Sequence, residues 1–572
     1  MKRRHYFHFF LGGIAASAAL LAACSGSNGQ VTGRSDYYTR GIGQYPGSPQ
    51  EDFSPELVKD DTYRNIALMR AAYQSSAYDY NLTAQLVTDG IVHNGVPQYL
   101  RLLTPDGEKP KREREWMIDE GPYSRNVATG EDTYFQFDLE NYRKKADRVY
   151  LKGTVTYYAE KAGKGYELIC QGSDDGASWT ELGKIAGKGL PGEAAKYNMH
   201  SDPNKQDEKG TLPVRIIELE IPMKQSGEYS HYRVVMRMAG AAYWTIHDMT
   251  CFNGGEYVEL KPSSCFNSIW MSAGDAQEWI YVDLGTKADF DKVILHWVNK
   301  AVQGKIQTSD DARSWKDAAP LPGGDSPTDE IAVKGKARYV RVLMERPKEK
   351  GSYMLSEIEV MGKGGLTARA VPQPAAEGNS IRLSGGNWKV QRASEVKGNG
   401  EEIASAGFQT DGWIPATVPG TVLSSYKNIG ALPDPNYSAN QLNVSESFFN
   451  SNFWYRNEFT VPEGFIKDRV FLNFDGINWK AHVYLNGRKA GDIEGAFIRG
   501  KLDVTELIVP GKNALSVEIV KNSHLGAVKE KNKQSTDFNG GILGADNPTF
   551  HATIGWDWIP TVRGRNIGIW ND

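Results

Sequence analysis

Alternation of apolar and polar residues dominates this chain. It runs through Phe135-Gln136-Phe137-Asp138-Leu139, Trp279-Ile280-Tyr281-Val282-Asp283-Leu284 and Ala481-His482-Val483-Tyr484-Leu485, then through Ala514-Leu515-Ser516-Val517-Glu518-Ile519. A period of two predicts strands with one buried face and one solvated face, and the Gly/Asp turns between them predict antiparallel pairing. Asn486-Gly487, directly after one of these strands, is the strongest kind of two-residue hairpin signal, because both turn positions need positive φ. Strands alternating with long helical periods do not occur. The pattern therefore predicts an all-β chain of tandem β-sandwich (jelly-roll) domains with no α/β barrel.

An imperfect repeat divides the first two thirds. Gln171-Gly172-Ser173-Asp174-Asp175-Gly176-Ala177-Ser178-Trp179 returns as Gln307-Thr308-Ser309-Asp310-Asp311-Ala312-Arg313-Ser314-Trp315. A strand ending in Asp-Leu precedes each copy. An alternating strand follows each, Tyr232-Arg233-Val234-Val235-Met236 and Tyr339-Val340-Arg341-Val342-Leu343. Three matched blocks in one order predict two related β domains, placed at 61–256 and 257–363. Lys363 to Ser380 contains Gly364-Gly365, Pro372 and Pro374, so 364–380 reads as a linker and 381–572 as a third sandwich.

The N-terminus carries an address. Lys2-Arg3-Arg4 is followed by an apolar stretch from Phe9 to Ala22, then Leu21-Ala22-Ala23-Cys24. Residues 1–24 read as a bacterial lipoprotein signal peptide, with Cys24 the lipidated residue; the alternative is an ordinary secretory signal with an incidental cysteine. Acyl chains, at ~0.8 kcal/mol per buried methylene, would hold the protein on a membrane. This predicts an exported lipoprotein on the periplasmic face or cell surface of the outer membrane. Residues 25–60 are rich in Gly, Ser, Pro and Asp and read as a flexible tether, with one short helix expected near Pro55.

Composition narrows the partners. Net charge is −4 without a long basic run, which argues against nucleic acid. Apart from Cys24 there are three cysteines, Cys170, Cys251 and Cys265, without metal-finger spacing. They read as buried small residues, with one disulfide open to an exported chain. The Asp pairs of the repeat would suit calcium, but Ser-Asp-Asp is more often a hairpin turn. No metal or cofactor is expected.

Two resemblances follow. Trp270-Met271-Ser272, Glu278 to Gly285, Ser309-Asp310-Asp311, Arg338-Tyr339-Val340-Arg341 and Leu355-Ser356-Glu357-Ile358-Glu359-Val360 make 257–363 resemble the discoidin-like, or coagulation factor five/eight type C, family. The 61–256 segment opens similarly, with Ser75-Ser76-Ala77-Tyr78-Asp79 and Val87-Thr88-Asp89-Gly90, then departs through polar insertions. The family implies jelly rolls whose rim loops often bind glycans. From Leu383 onward the chain resembles the N-terminal sugar-binding sandwich of family 2 glycoside hydrolases. That resemblance rests on Trp413 to Thr421, Asp475-Gly476-Ile477, Val483 to Gly487, Asp503-Val504-Thr505 and Gly511-Lys512-Asn513. Pro433-Asp434-Pro435-Asn436-Tyr437 and Trp556-Asp557-Trp558 lean toward the mannosidase and glucosaminidase members.

The second resemblance implies a sugar contact by Trp556 and Asp557. An indole face stacks on a pyranose, and a carboxylate accepts bonds from hydroxyls. The competing reading makes both residues packing or turn residues. Retaining glycosidases need two carboxyls ~5–5.5 Å apart, which the family carries on a barrel, and no such pair is legible here. Asn457-Glu458 mimics the family's acid/base dipeptide but lies in an alternating strand, where a solvated glutamate is expected. A further strand begins at the end of the chain and is expected to leave an unpaired edge. The expected function is the carbohydrate-binding N-terminal portion of an exported family 2-like glycosidase acting on β-glycans, with oligo- or polysaccharide as partner. The alternative is a non-catalytic glycan-binding lipoprotein.

Overall fold

The structure is a computed structural model. It describes residues 55–521 and 568–570, less 80, 94, 110–125, 130–132, 158–164, 190, 199–210, 239–241, 261–265, 372–373, 386, 436, 439, 450, 479 and 496–497. The described residues form three β-sandwiches, each with its own apolar core, joined by antiparallel strands and a few short helices. No described helix is long and apolar enough to cross a membrane.

The first two sandwiches are nested rather than consecutive. Leu57–Asp60 pairs with Gly365–Ala368, Arg64–Asn65 with Met354–Lys363, and Ala72–Gln74 with Glu278–Asn299. Ile66, Ala67, Ala72, Ala84 and Val87 share one core with Trp270, Ile280, Val342 and Ile358. The chain then leaves this sandwich at about residue 90 and builds a second one from Tyr99–Thr104 to Glu256–Val258. That sandwich has a core of its own, around Phe135, Phe137, Tyr232 and Trp244. The expected division at 256/257 is therefore corrected. The opening motifs from Ser75 to Gly90 belong to the outer sandwich, because their apolar side chains complete its core and their backbones its sheet. Two smaller corrections follow. Residues after Pro55 form a strand, not a helix, and the first part of the expected linker is that strand's partner.

Alternation explains the strands. In Glu278–Asn299 the side chains of Ile280, Val282 and Leu284 are buried, while Trp279, Tyr281 and Asp283 lie on the outer face. Register breaks at Asp283/Ala288 and Phe290/Lys292 bend this 22-residue strand so that it serves both halves of the sandwich. Cys170 and Cys251 are free buried thiols in the inserted sandwich, and burial pushes the Cys251 thiol up to about 12.

The third sandwich has a six-stranded sheet in the order Ile414–Pro415, Lys389–Arg392, Phe453–Val461, Gly511–Val520, Lys480–Leu485, Arg488–Glu494. Trp388, Phe453, Tyr455, Val483, Leu515 and Val517 fill its core. The hairpin after Lys480–Leu485 turns as expected, with φ of 49° at Asn486 and 77° at Gly487. The last described strand is paired on both sides. Gly568–Trp570 lies between Gly420–Thr421 and Gly476–Asn478, bonded on both sides.

The outer and third sandwiches meet at a seam. Leu86 is fully buried within the third core. Gln85 Oε1 accepts from the Ser445 amide at 2.8 Å, and Ser445 Oγ donates to the Asn81 carbonyl at 2.7 Å. The Arg392 guanidinium sits 3.8 Å from the Phe266 ring centroid.

Candidate functional site

The expected sugar contacts, Trp556 and Asp557, lie outside the described residues, as do Cys24 and Cys265. The described strands on either side of residues 522–567 lie close together. Gly511–Val520 pairs with Lys480–Leu485, Val520 opposite Lys480, and Gly568 returns opposite Asn478. Departure and return thus share one end of the third sandwich. Asn452 fastens the departure, its Oδ1 accepting from the Lys521 amide at 3.0 Å and its Nδ2 donating to Glu518 at 2.9 Å. A Cβ on Gly568 would meet the Gly420 carbonyl oxygen at 2.3 Å, so only glycine allows the return strand to close. Elsewhere in the third sandwich, Asp434 is buried and paired with Lys427 at 3.1 Å, and Tyr437 is 47% exposed.

Glu458 is an exposed residue on the strand Phe453–Val461, ion-paired with Arg456 at 2.6 Å, while Asn457 is buried. Arg456 also donates to the Ile403 and Ser405 carbonyls. The dipeptide is thus part of a strand and its support. Among the described residues there is no cluster of three or more His, Cys, Asp or Glu able to hold a metal ion.

The two copies of the repeat adopt one geometry. Asp175 accepts from the amides of Ala177 and Ser178 at 2.8 and 2.6 Å, and Asp311 from those of Arg313 and Ser314 at 2.8 and 2.7 Å. These bonds, the second amide of each pair foremost, hold both carboxyls well below the usual carboxylate range. Each carboxylate is engaged in closing its turn. Beyond each turn an arginine lies over the tryptophan, Arg233 over Trp179 at 3.8 Å and Arg341 over Trp315 at 4.0 Å. Each arginine's Nε donates to a glutamine, Gln171 at 2.6 Å and Gln307 at 2.8 Å. The equivalent residues are therefore Arg233 and Arg341. Sequence reasoning found this repeat but missed the seam residues Gln85, Leu86 and Ser445, and a polar cleft in the inserted sandwich. Only the pairing register reveals that cleft.

Two segments of the chain match known protein families. Residues 388–571 match the family described as glycosyl hydrolase 2 galactose-binding domain-like, and residues 261–342 the F5/F8 type C family described as NedA-like, galactose-binding domain. The chain thus carries a glycosyl hydrolase 2 N-terminal galactose-binding-like domain together with an F5/F8 type C domain. It is similar to an exo-beta-D-glucosaminidase from Streptomyces avermitilis, 30% identical over 36% of this chain and 21% of that protein. It is also similar to a mannosylglycoprotein endo-beta-mannosidase from Lilium longiflorum, 32% identical over 32% of this chain and 20% of that protein. Among solved structures, Amycolatopsis orientalis exo-chitosanase CsxA matches at 28% identity, over 28% of this chain and 18% of that chain, with a TM-score of 0.23. The chain spans about a fifth of the length of these relatives.

Proposed function

We propose that this chain is the carbohydrate-binding N-terminal portion of an exported, lipid-anchored glycosidase that hydrolyses β-linked glycans. In this reading Trp556 and Asp557 contact the sugar and Cys24 carries the anchor. The observation that carries the proposal is the match of residues 388–571 to the glycosyl hydrolase 2 galactose-binding-like family, in relatives named as exo-beta-glucosaminidase and endo-beta-mannosidase. The catalytic acid/base and nucleophile are then supplied from outside residues 1–572.

The test is to assay two proteins on aryl β-glucosaminides and β-mannosides, the 572-residue chain and the longest in-frame product of its gene. The proposal expects turnover by the longer protein only. Turnover by the 572-residue chain, or by neither protein, contradicts it.

A further inference from the structure

The shared register of the two F5/F8-like sandwiches allows them to be compared residue by residue. In the outer sandwich Tyr339 pairs opposite Asp283 and Ser309; in the inserted one His231 pairs opposite Asp138 and Ser173. The residues one step earlier are therefore equivalent, Arg338 in the outer sandwich and Ser230 in the inserted one. Arg338 closes its site, with Nε and Nη2 gripping the two oxygens of Asp283 at 2.8 and 2.9 Å. A bidentate pair of this kind is among the strongest charge-assisted contacts.

Ser230 cannot reach as far. Its hydroxyl bonds His231 Nδ1 at 2.8 Å and the Asp174 carbonyl at 3.2 Å. Asp138 accepts one bond, from Gln136 Nε2 at 2.8 Å, and faces His231 Nε2 across 3.7 Å, beyond hydrogen-bond length. Where the outer sandwich holds a guanidinium, the inserted one has a cleft of about 710 Å³ opening on this carboxylate. The lining carries four carboxylates, on Asp138, Glu140, Asp174 and Glu228, against two guanidiniums, on Arg101 and Arg143. Arg101 is engaged with Glu140 at 2.9 Å and Arg143 with Asp174 at 3.1 Å. The volume lies within the ~300–1,000 Å³ range of ligand sites.

We propose that this cleft binds an amine-bearing saccharide, whose ammonium group takes the place over Asp138 that the Arg338 guanidinium holds over Asp283. The acidic excess favours a cation. The donors and acceptors interleaved around it, with Asn141 and Ser230 on the rim, suit hydroxyl groups. The saccharide part of this assignment rests on the carbohydrate-binding reading above; the cationic part rests on the twin sandwich alone.

Calorimetric titration of the full chain with β-1,4-linked glucosamine trimer tests the inference, with the fully N-acetylated trimer as the uncharged control. The expected result is binding of the amine trimer that weakens at least about tenfold with the N-acetylated trimer and in Ser230→Arg, which installs the outer sandwich's own side chain. Asp138→Asn provides the same readout if Ser230→Arg does not fold, as judged by circular dichroism. Equal affinity in wild type and the folded variant, equal affinity for the two trimers, or no binding of the amine trimer overturns it. If binding survives Ser230→Arg but is lost in Trp556→Ala, the trimer sits on the third sandwich. The cleft assignment then fails while the carbohydrate-binding reading stands.

Discussion

Asp175 and Asp311 show how much a single side chain organises here. Each carboxylate takes two backbone amides and two hydroxyls, and so fixes the turn that presents a tryptophan to an arginine. Because these bonds lower the folded-state pKa below the ordinary 3.8, the stability they contribute is present above about pH 3.8 and is lost as pH falls below it. Asp311→Asn should therefore flatten the acid limb of the stability-versus-pH curve and change little at neutral pH beyond a constant offset. Urea unfolding midpoints at a series of pH values, in wild type and variant, measure this; identical acid limbs would refute it. A second residue-scale expectation concerns Glu458. It is exposed and tied to Arg456 by a partly solvated ion pair, so Glu458→Gln should leave hydrolysis by the longer gene product unchanged. A large fall in kcat would promote this residue from strand support to catalyst.

At the scale of elements, the seam between the outer and third sandwiches makes the sharpest claim. Leu86 belongs by sequence to the outer sandwich and by packing to the third. Leu86→Ala should cost about 2–5 kcal/mol, the usual range for a buried leucine. The loss should appear as faster amide hydrogen exchange in Phe453–Val461, with Tyr166–Ser173 of the inserted sandwich unaffected. Equal acceleration in both strands would mean that the seam is not where the energy lies. This seam also marks the limit of legibility. Period-two alternation and Asn486-Gly487 announce strands and a hairpin because they are local signals, and both appear in the structure. The fate of residues 61–90 is not local. Their core partners lie about two hundred residues away, across an inserted sandwich, and a linear reading assigns them to the strands that come next. The Gln85–Ser445 and Asn81–Ser445 bonds involve ordinary polar residues with no motif, so nothing in the sequence marks them. The Ser230-for-Arg338 exchange is visible in the sequence only once the register equating Arg233 with Arg341 is known.

At the scale of the whole molecule, a nested pair of sandwiches meets a third sandwich of the glycosyl hydrolase 2 galactose-binding-like type, with a lipid anchor at Cys24 as a proposal. If Cys24 is lipidated, Cys24→Ala should move the protein from the membrane to the soluble fraction on cell fractionation; retention of the variant on membranes would remove the anchor from the account. The central claim is that the third sandwich delivers a sugar contact to a glycosidase. Its most direct test is steady-state kinetics of Asp557→Ala in the longest in-frame gene product, with melting curves on the same preparation. Loss of a charge-assisted bond, worth ~1.5–3 kcal/mol, together with a partner left unpaired, predicts a fall in kcat/KM of about 2–4 kcal/mol with little change in Tm. Wild-type kcat/KM in a variant with lowered Tm would contradict the claim and leave Asp557 a packing residue.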